Sequence, residues 1–293
     1  MGIWLKKHLL TVLMLMGLAI GIGLLLYPSV ANYWNSFHQT QAIMSYNDAV
    51  SKMDTQDYKK ILDDAKAYNK KLGKNGIQWV LTDAQKAEYQ KQLKIEGTEV
   101  MGYVSIPKIH VKLPIYHGTE EGVLQTAIGH LEPTSLPVGG KNSQCAISGH
   151  RGLPSARLFT DIVDLKEGDT WTMTVLNETV TYEVDQIRIV EPADLSNLQI
   201  EKAKDFATLI TCTPYGINTH RLLVRGHRIP NADGDANLTA DAIQIEPIYI
   251  APFLAAPILL ALLAILLVST RKAKRDPNNM ALTLYLNAKG LRT

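Results

Sequence analysis

The clearest chemical signature in this chain is a cysteine that ends an apolar, strand-like run, with an arginine shortly after it. The stretch is Thr208-Leu209-Ile210-Thr211-Cys212-Thr213-Pro214-Tyr215-Gly216-Ile217-Asn218-Thr219-His220-Arg221. A thiol attacks only as thiolate, so a reactive cysteine needs an electropositive setting. The turn signal Pro214-Tyr215-Gly216 folds the arginine-bearing segment back beside Cys212. A histidine follows a second apolar run in Ile147-Ser148-Gly149-His150-Arg151-Gly152. Cysteine, histidine and arginine at strand ends are the parts of a thiol acyl-transfer site.

The residues alone leave rivals in place. Eight histidines are present, and His227 in Val224-Arg225-Gly226-His227-Arg228 is as plausible a base as His150. Arg225 and Arg228 compete with Arg221. His130 and His220 read as packing or surface residues. The second cysteine, Cys145, lies in the strand-like Cys-Ala-Ile-Ser that leads to His150, where a small buried side chain fits best. Two cysteines in an oxidising space suggest a disulfide, yet a catalytic thiol must stay free. No acidic cluster points to a metal, and no cofactor is implied. The formal net charge of +2 shows no bulk basic excess, which argues against nucleic acid as a partner.

The elements that must position these residues are partly legible. Of the 293 residues, two apolar runs, Leu9 through Tyr27 and Ile248 through Val268, are each long enough to cross a bilayer. The first exceeds a usual signal core and lacks a following Ala-x-Ala, so it reads as a retained anchor. Lys6-Lys7 before the first run, and Arg271-Lys272, Lys274 and Arg275 after the second, put both termini in the cytoplasm and the segment between them outside. From Tyr33 to Leu93 the pattern is helical: Tyr46, Val50 and Met53 recur at turn spacing, as do Tyr58, Ile61, Leu62, Ala65 and Tyr68 after a capping Asp54. After Gly97 come short apolar runs separated by turn residues: Val100–Ile106, Val111–Ile115, Gln144–Ser148, Trp171–Leu176, Val180–Val190, Ala207–Cys212 and Arg221–Gly226. Such a pattern predicts a closed or sandwiched β-domain.

The longer motifs resemble a known family. Thr208 to Cys212, with Arg221 downstream and His150 upstream, looks like the signature of the sortases, membrane-anchored cysteine transpeptidases of Gram-positive bacteria. Cys212 to Arg228, Gly149 to Ala156, Ile106-Pro107-Lys108-Ile109, and Leu113-Pro114-Ile115-Tyr116-His117-Gly118-Thr119 are similar to class C, the pilus-polymerising sortases. The resemblance spans roughly residues 97 to 230.

It implies a mainly β fold, the eight-stranded sortase β-barrel, with an N-terminal helical arm and two flanking transmembrane helices. The implied layout is a cytoplasmic N-terminus (1–7), a span (8–30), a helical arm carrying a candidate lid (31–96), the catalytic barrel (97–232), a linker (233–247), a second span (248–269) and a basic cytoplasmic tail (270–293). It selects His150 and Arg221 over their rivals, with Cys212 as nucleophile and Thr211 at the substrate. The implied reaction cleaves a Leu-Pro-x-Thr-Gly-like sorting signal between Thr and Gly through a thioester, then joins the acyl group to a lysine amine of a pilin subunit. The implied partners are pilin subunits bearing such signals, their acceptor lysine, and the membrane.

The family's lid motif, Asp-Pro-aromatic, is not intact. Its best-placed match is Asp83-Ala84-Gln85, which lacks the proline and the ring; Trp79, just upstream, is the candidate for the missing ring. Thr82-Asp83-Ala84-Gln85 also reads as a capping box opening a helix. Two other functions remain open at this stage. One is a hydrolytic or peptidoglycan-anchoring thiol enzyme. The other is a non-enzymatic surface protein held by two anchors, although Ile245-Glu246-Pro247-Ile248-Tyr249 stands where a sortase substrate would carry its own sorting signal.

Overall fold

A computed structural model of the chain describes residues 2–231. The expected linker, second span and basic tail lie outside the described residues. Helix α1 runs without a break from Gly2 to Ser51. Among the described residues it is the one helix long and apolar enough to cross a membrane, with a window of mean hydropathy 2.0. The sequence suggested a boundary between span and arm at residue 30; the helix crosses it. Pro28 is accommodated inside α1.

Beyond the apolar part, α1 turns one face to the barrel. Ile43, Tyr46 and Val50 are buried at turn spacing. The Tyr46 hydroxyl donates to the Met101 carbonyl at 3.1 Å and accepts from the Leu176 N–H at 2.6 Å. Helix α2 spans Thr55–Asn75, and its expected cap is present: the Asp54 carboxylate accepts from the Gln56 N–H at 3.0 Å. Gly76, at φ 76°, closes it in a conformation open to glycine. Asn69, buried in α2, accepts from the Leu136 N–H and donates to the Leu136 and Gly139 carbonyls, pinning α2 to a barrel loop. Helix α3, Asp83–Tyr89, opens with the reciprocal Thr82–Gln85 capping box.

The rest is a closed eight-stranded barrel. Its strands are β1 (Val100–Ile106), β2 (Val111–His117), β3 (Ile128–His130), β4 (Ser143–Ser148), β5 (Thr170–Val175), β6 (Glu178–Val190), β7 (Asp205–Thr213) and β8 (His220–Ile229). They close in the order β1-β2-β3-β4-β7-β8-β6-β5. A short helix α4, Glu121–Leu124, precedes β3. Seven strands match the runs expected from the sequence to within a few residues. The eighth, β3, gave no signal, being three residues long with a glycine at its centre.

Alternation along the strands separates two faces. Cys145, Ile147, Leu209, Leu222 and Val224 pack inward with Trp171 and Tyr182 in the main core. Ala146, Ile210 and Leu223 point outward and form a second, smaller cluster with Leu198. Residues two apart on a strand share a face, so Cys212 lies on the outer face, one step beyond Ile210.

Candidate active site

Strand pairing brings the three predicted residues together. Strands β4 and β7 are parallel and in register from Ser143↔Asp205 to Ser148↔Ile210. Continued by two residues, that register sets His150 alongside Cys212. The chain does continue: the Gly149 N–H donates to the Ile210 carbonyl at 3.0 Å, and the Thr211 hydroxyl donates to the Gly149 carbonyl at 2.8 Å. On the other side β7 and β8 are antiparallel, and Cys212 stands directly opposite Arg221. The turn between them is closed by the Ile217 and Asn218 N–H groups donating to the Pro214 carbonyl. The three residues thus sit at adjacent ends of three neighbouring strands, although His150 and Cys212 are 62 positions apart in the sequence.

Their surroundings differ from those of their rivals. Cys212 is half-buried and free, whereas Cys145 is free but enclosed in the core, where burial and the nearby Asp205 carboxylate push its thiol well above the ordinary range. A thiol held protonated in a closed core is inert. Arg221 donates through Nη1 to the Asn218 and His220 carbonyls, at 3.2 and 3.1 Å, and among the described residues it pairs with no carboxylate. Arg225 is committed elsewhere: to Asp185 through two bonds of 3.0 Å, to Glu201 at 3.2 Å, and over the Phe206 ring, with its guanidinium carbon 4.0 Å from the ring centroid.

Among the histidines, His130 is fully buried. Its Nε2 donates to the Ser135 carbonyl and its Nδ1 accepts from the Tyr89 hydroxyl, and burial lowers its pKa to about 4. That arrangement latches α3 to β3. His150 is partly exposed and its ring makes no hydrogen bond; its Nε2 lies 3.8 Å from Glu121 Oε2, an ion-pair distance beyond hydrogen-bond reach.

Three further candidates have definite places in the structure. Thr211 is buried on the inward face, its hydroxyl committed to Gly149, so it fixes the backbone before His150 rather than facing a substrate. Asp83 makes no ion pair with Arg221; it stands in the first turn of α3 behind the Thr82 cap, where a carboxylate favours the helix end. Trp79 packs on the outward cluster of Ala146, Ile210 and Leu223, together with Leu131, Val190 and Leu195. Two members of that cluster, Ile210 and Leu223, lie two positions from Cys212 and Arg221 along β7 and β8, on the same face. Glu121 gave no sequence signal; an exposed glutamate opening a four-residue helix is unremarkable until the fold sets it near His150.

Comparisons with known proteins identify the family. A family model described as a Sortase domain matches residues 104–229, which run from β1 to the end of β8. Sortase D of Bacillus subtilis is 30% identical over 146 residues, an alignment covering 49% of this chain and 71% of that protein. The crystal structure of sortase C1 from Streptococcus agalactiae is 60% identical, with a TM-score of 0.64 over 66% of this chain and 100% of that one. Sortase C of Streptococcus pneumoniae, whose structure was described in terms of catalysis and pilin substrate specificity, is 43% identical, with a TM-score of 0.60 over 66% of this chain and 98% of that one.

Proposed function

This chain belongs to the sortase family of cysteine transpeptidases, within class C, and we propose that it polymerises pilin subunits, with Cys212, His150 and Arg221 carrying the reaction. In this reading Cys212 attacks the threonine carbonyl of a Leu-Pro-x-Thr-Gly-like signal as a thiolate. The carbonyl π electrons move to oxygen, and the carbon–sulfur bond forms. Collapse of that intermediate breaks the Thr–Gly bond, and the His150 imidazolium gives its proton to the departing glycine amine.

Arg221 holds the oxyanion. Its planar, permanently charged fork suits a carbonyl oxygen better than an ammonium does, and its lack of a carboxylate partner among the described residues leaves it free for that role. The acyl group then passes from sulfur to a lysine amine of the next pilin subunit. His150, now neutral, takes up the proton that the amine loses.

The observation that supports this reading is the convergence of the three residues at the ends of β4, β7 and β8. The pilin assignment draws on likeness to the streptococcal class C enzymes. The apolar part of α1 anchors the barrel in the membrane from the N-terminal side, and the run at 248–269 provides the second span, with both termini cytoplasmic. The test is to incubate the purified chain with sorting-signal peptides and a pilin domain. The reading expects a thioester on Cys212 and an isopeptide product. Release of hydrolysed peptide only, in the presence of pilin lysines, would remove the polymerase assignment.

A further inference from the structure

The stripe by which α1 docks on the barrel starts with amides rather than apolar side chains. Upstream of Ile43, Tyr46 and Val50, on the same face, stand Asn32, Asn35 and Gln39, spaced at i, i+3 and i+7. Each is bonded to backbone. Asn32 Oδ1 accepts from the Arg157 N–H at 2.8 Å, Asn35 Nδ2 donates to the Ser155 carbonyl at 2.7 Å, and Gln39 Nε2 donates to the Thr126 carbonyl at 2.7 Å.

The two segments held in this way meet at the imidazole. Ser155 and Arg157 belong to the loop that opens with His150, whose carbonyl in turn accepts from the Phe159 N–H. Thr126 ends the segment that begins with Glu121, the residue 3.8 Å from His150 Nε2. Gln125 donates to the other oxygen of Glu121. A ring with no hydrogen bond of its own takes its direction from the backbone that carries it. Here that backbone, and the segment presenting the neighbouring carboxylate, are tied to one helix face over a rise of about 10 Å.

We infer that Asn32, Asn35 and Gln39 are positioning residues for His150: the membrane-proximal face of the anchor helix clamps the His150 loop and the Glu121 segment together, so the anchor is also a strut of the active site. This rests on His150 being the proton carrier. No flexible tether separates the apolar part of α1 from these contacts, since the helix is continuous from Gly2 to Ser51. Small displacements of a catalytic group cost rate steeply, which is what gives such a strut its value.

The test uses the full chain in lipid nanodiscs and the double variant Asn35→Ala/Gln39→Ala. The expected result has two parts. The amides of residues 119–127 and 150–159 exchange deuterium about tenfold faster while those of β7 and β8 are unchanged, as loss of two hydrogen bonds at one seam requires. In parallel, kcat for peptide cleavage falls about three- to tenfold with KM within twofold. Thr40→Ala, on a neighbouring face of α1, leaves both readouts at the parent level.

Unchanged exchange in the two segments would overturn the inference whatever the activity. So would faster exchange with kcat intact, because anchoring without positioning is not what is claimed. His150→Ala, measured alongside, separates the two levels: full cleavage activity in that variant would remove the assignment of His150 and leave the exchange result standing.

Discussion

Arg221→Lys keeps the charge opposite Cys212 and removes the fork. The guanidinium is fixed by two bonds from Nη1 to the Asn218 and His220 carbonyls, and this holds its remaining N–H groups in one orientation. An ammonium on a flexible stem has no comparable plane, so the variant loses the directed donor while retaining most of the attraction for substrate. Removing one oxyanion donor costs about 10² to 10³ in kcat, or about 2.7 to 4 kcal/mol of transition-state stabilisation, and that is the drop expected here. KM should move by less than about threefold, because the ground-state carbonyl carries little charge. Single-turnover formation of the Cys212 thioester, followed by mass spectrometry, isolates the step. Arg225 cannot substitute, since Asp185, Glu201 and the Phe206 ring already hold it. A variant within a few-fold of the parent would refute the assignment of Arg221 as the oxyanion donor.

Other consequences can be checked directly. Trp79→Ala uncovers the outward cluster; burying roughly half an indole is worth about 1 to 2 kcal/mol, so alkylation of Cys212 should accelerate about five- to thirtyfold, and an unchanged rate would show that the indole does not restrict access. Asp83→Ala should leave that rate as it is, because Asp83 does not pair with Arg221, and a several-fold rise would reveal such a pair. Tyr46→Phe leaves the buried Leu176 N–H without its acceptor and should cost about 1 to 3 kcal/mol in denaturant unfolding; no loss would contradict the described docking of α1. His130 is held neutral by burial, with its pKa lowered to about 4 from an unfolded value near 6.5. The unfolded chain therefore binds the proton first. The stability this contributes is complete above about pH 6.5 and is lost as pH falls toward 4, up to about 3 kcal/mol. His130→Gln should remove most of that slope in unfolding midpoints taken from pH 7 to 4.

The strands and the chemistry were legible to very different degrees. Seven strands announce themselves because each is a run of apolar or β-branched residues bounded by glycine, proline or asparagine. The cap at Asp54 and the box at Thr82 are local signals and fall where the sequence puts them. Strand β3 is too short to show a period and owes its existence to partners on both sides, β2 and β4. The site depends on a fact that no local pattern carries, the parallel pairing of β4 with β7, whose register, continued two residues past Ser148↔Ile210, matches His150 with Cys212. Without that pairing, choosing His150 over His227 rests on family resemblance alone; the register adds that the chain leaves β4 toward His150 next to the end of β7, whereas His227 stands opposite Phe206, six positions from Cys212. Thr211 shows the converse. The resemblance implies a substrate contact there, but neighbours on a strand point to opposite faces, and the Thr211 hydroxyl is buried and bonded to the Gly149 carbonyl. The seam on α1 was equally hidden, because two asparagines and a glutamine on a helix look like solvated surface until their backbone partners are known.

The central claim, that Cys212 is the nucleophile and Cys145 is not, is tested most directly by trapping the acyl-enzyme. The full chain and its Cys212→Ala and Cys145→Ala variants are incubated with a Leu-Pro-x-Thr-Gly peptide, quenched in acid, digested and analysed for the acylated cysteine. A thioester on the peptide containing Cys212, present in the parent and in Cys145→Ala and absent from Cys212→Ala, is the predicted result. Acylation at Cys145, or turnover that survives Cys212→Ala, would contradict it.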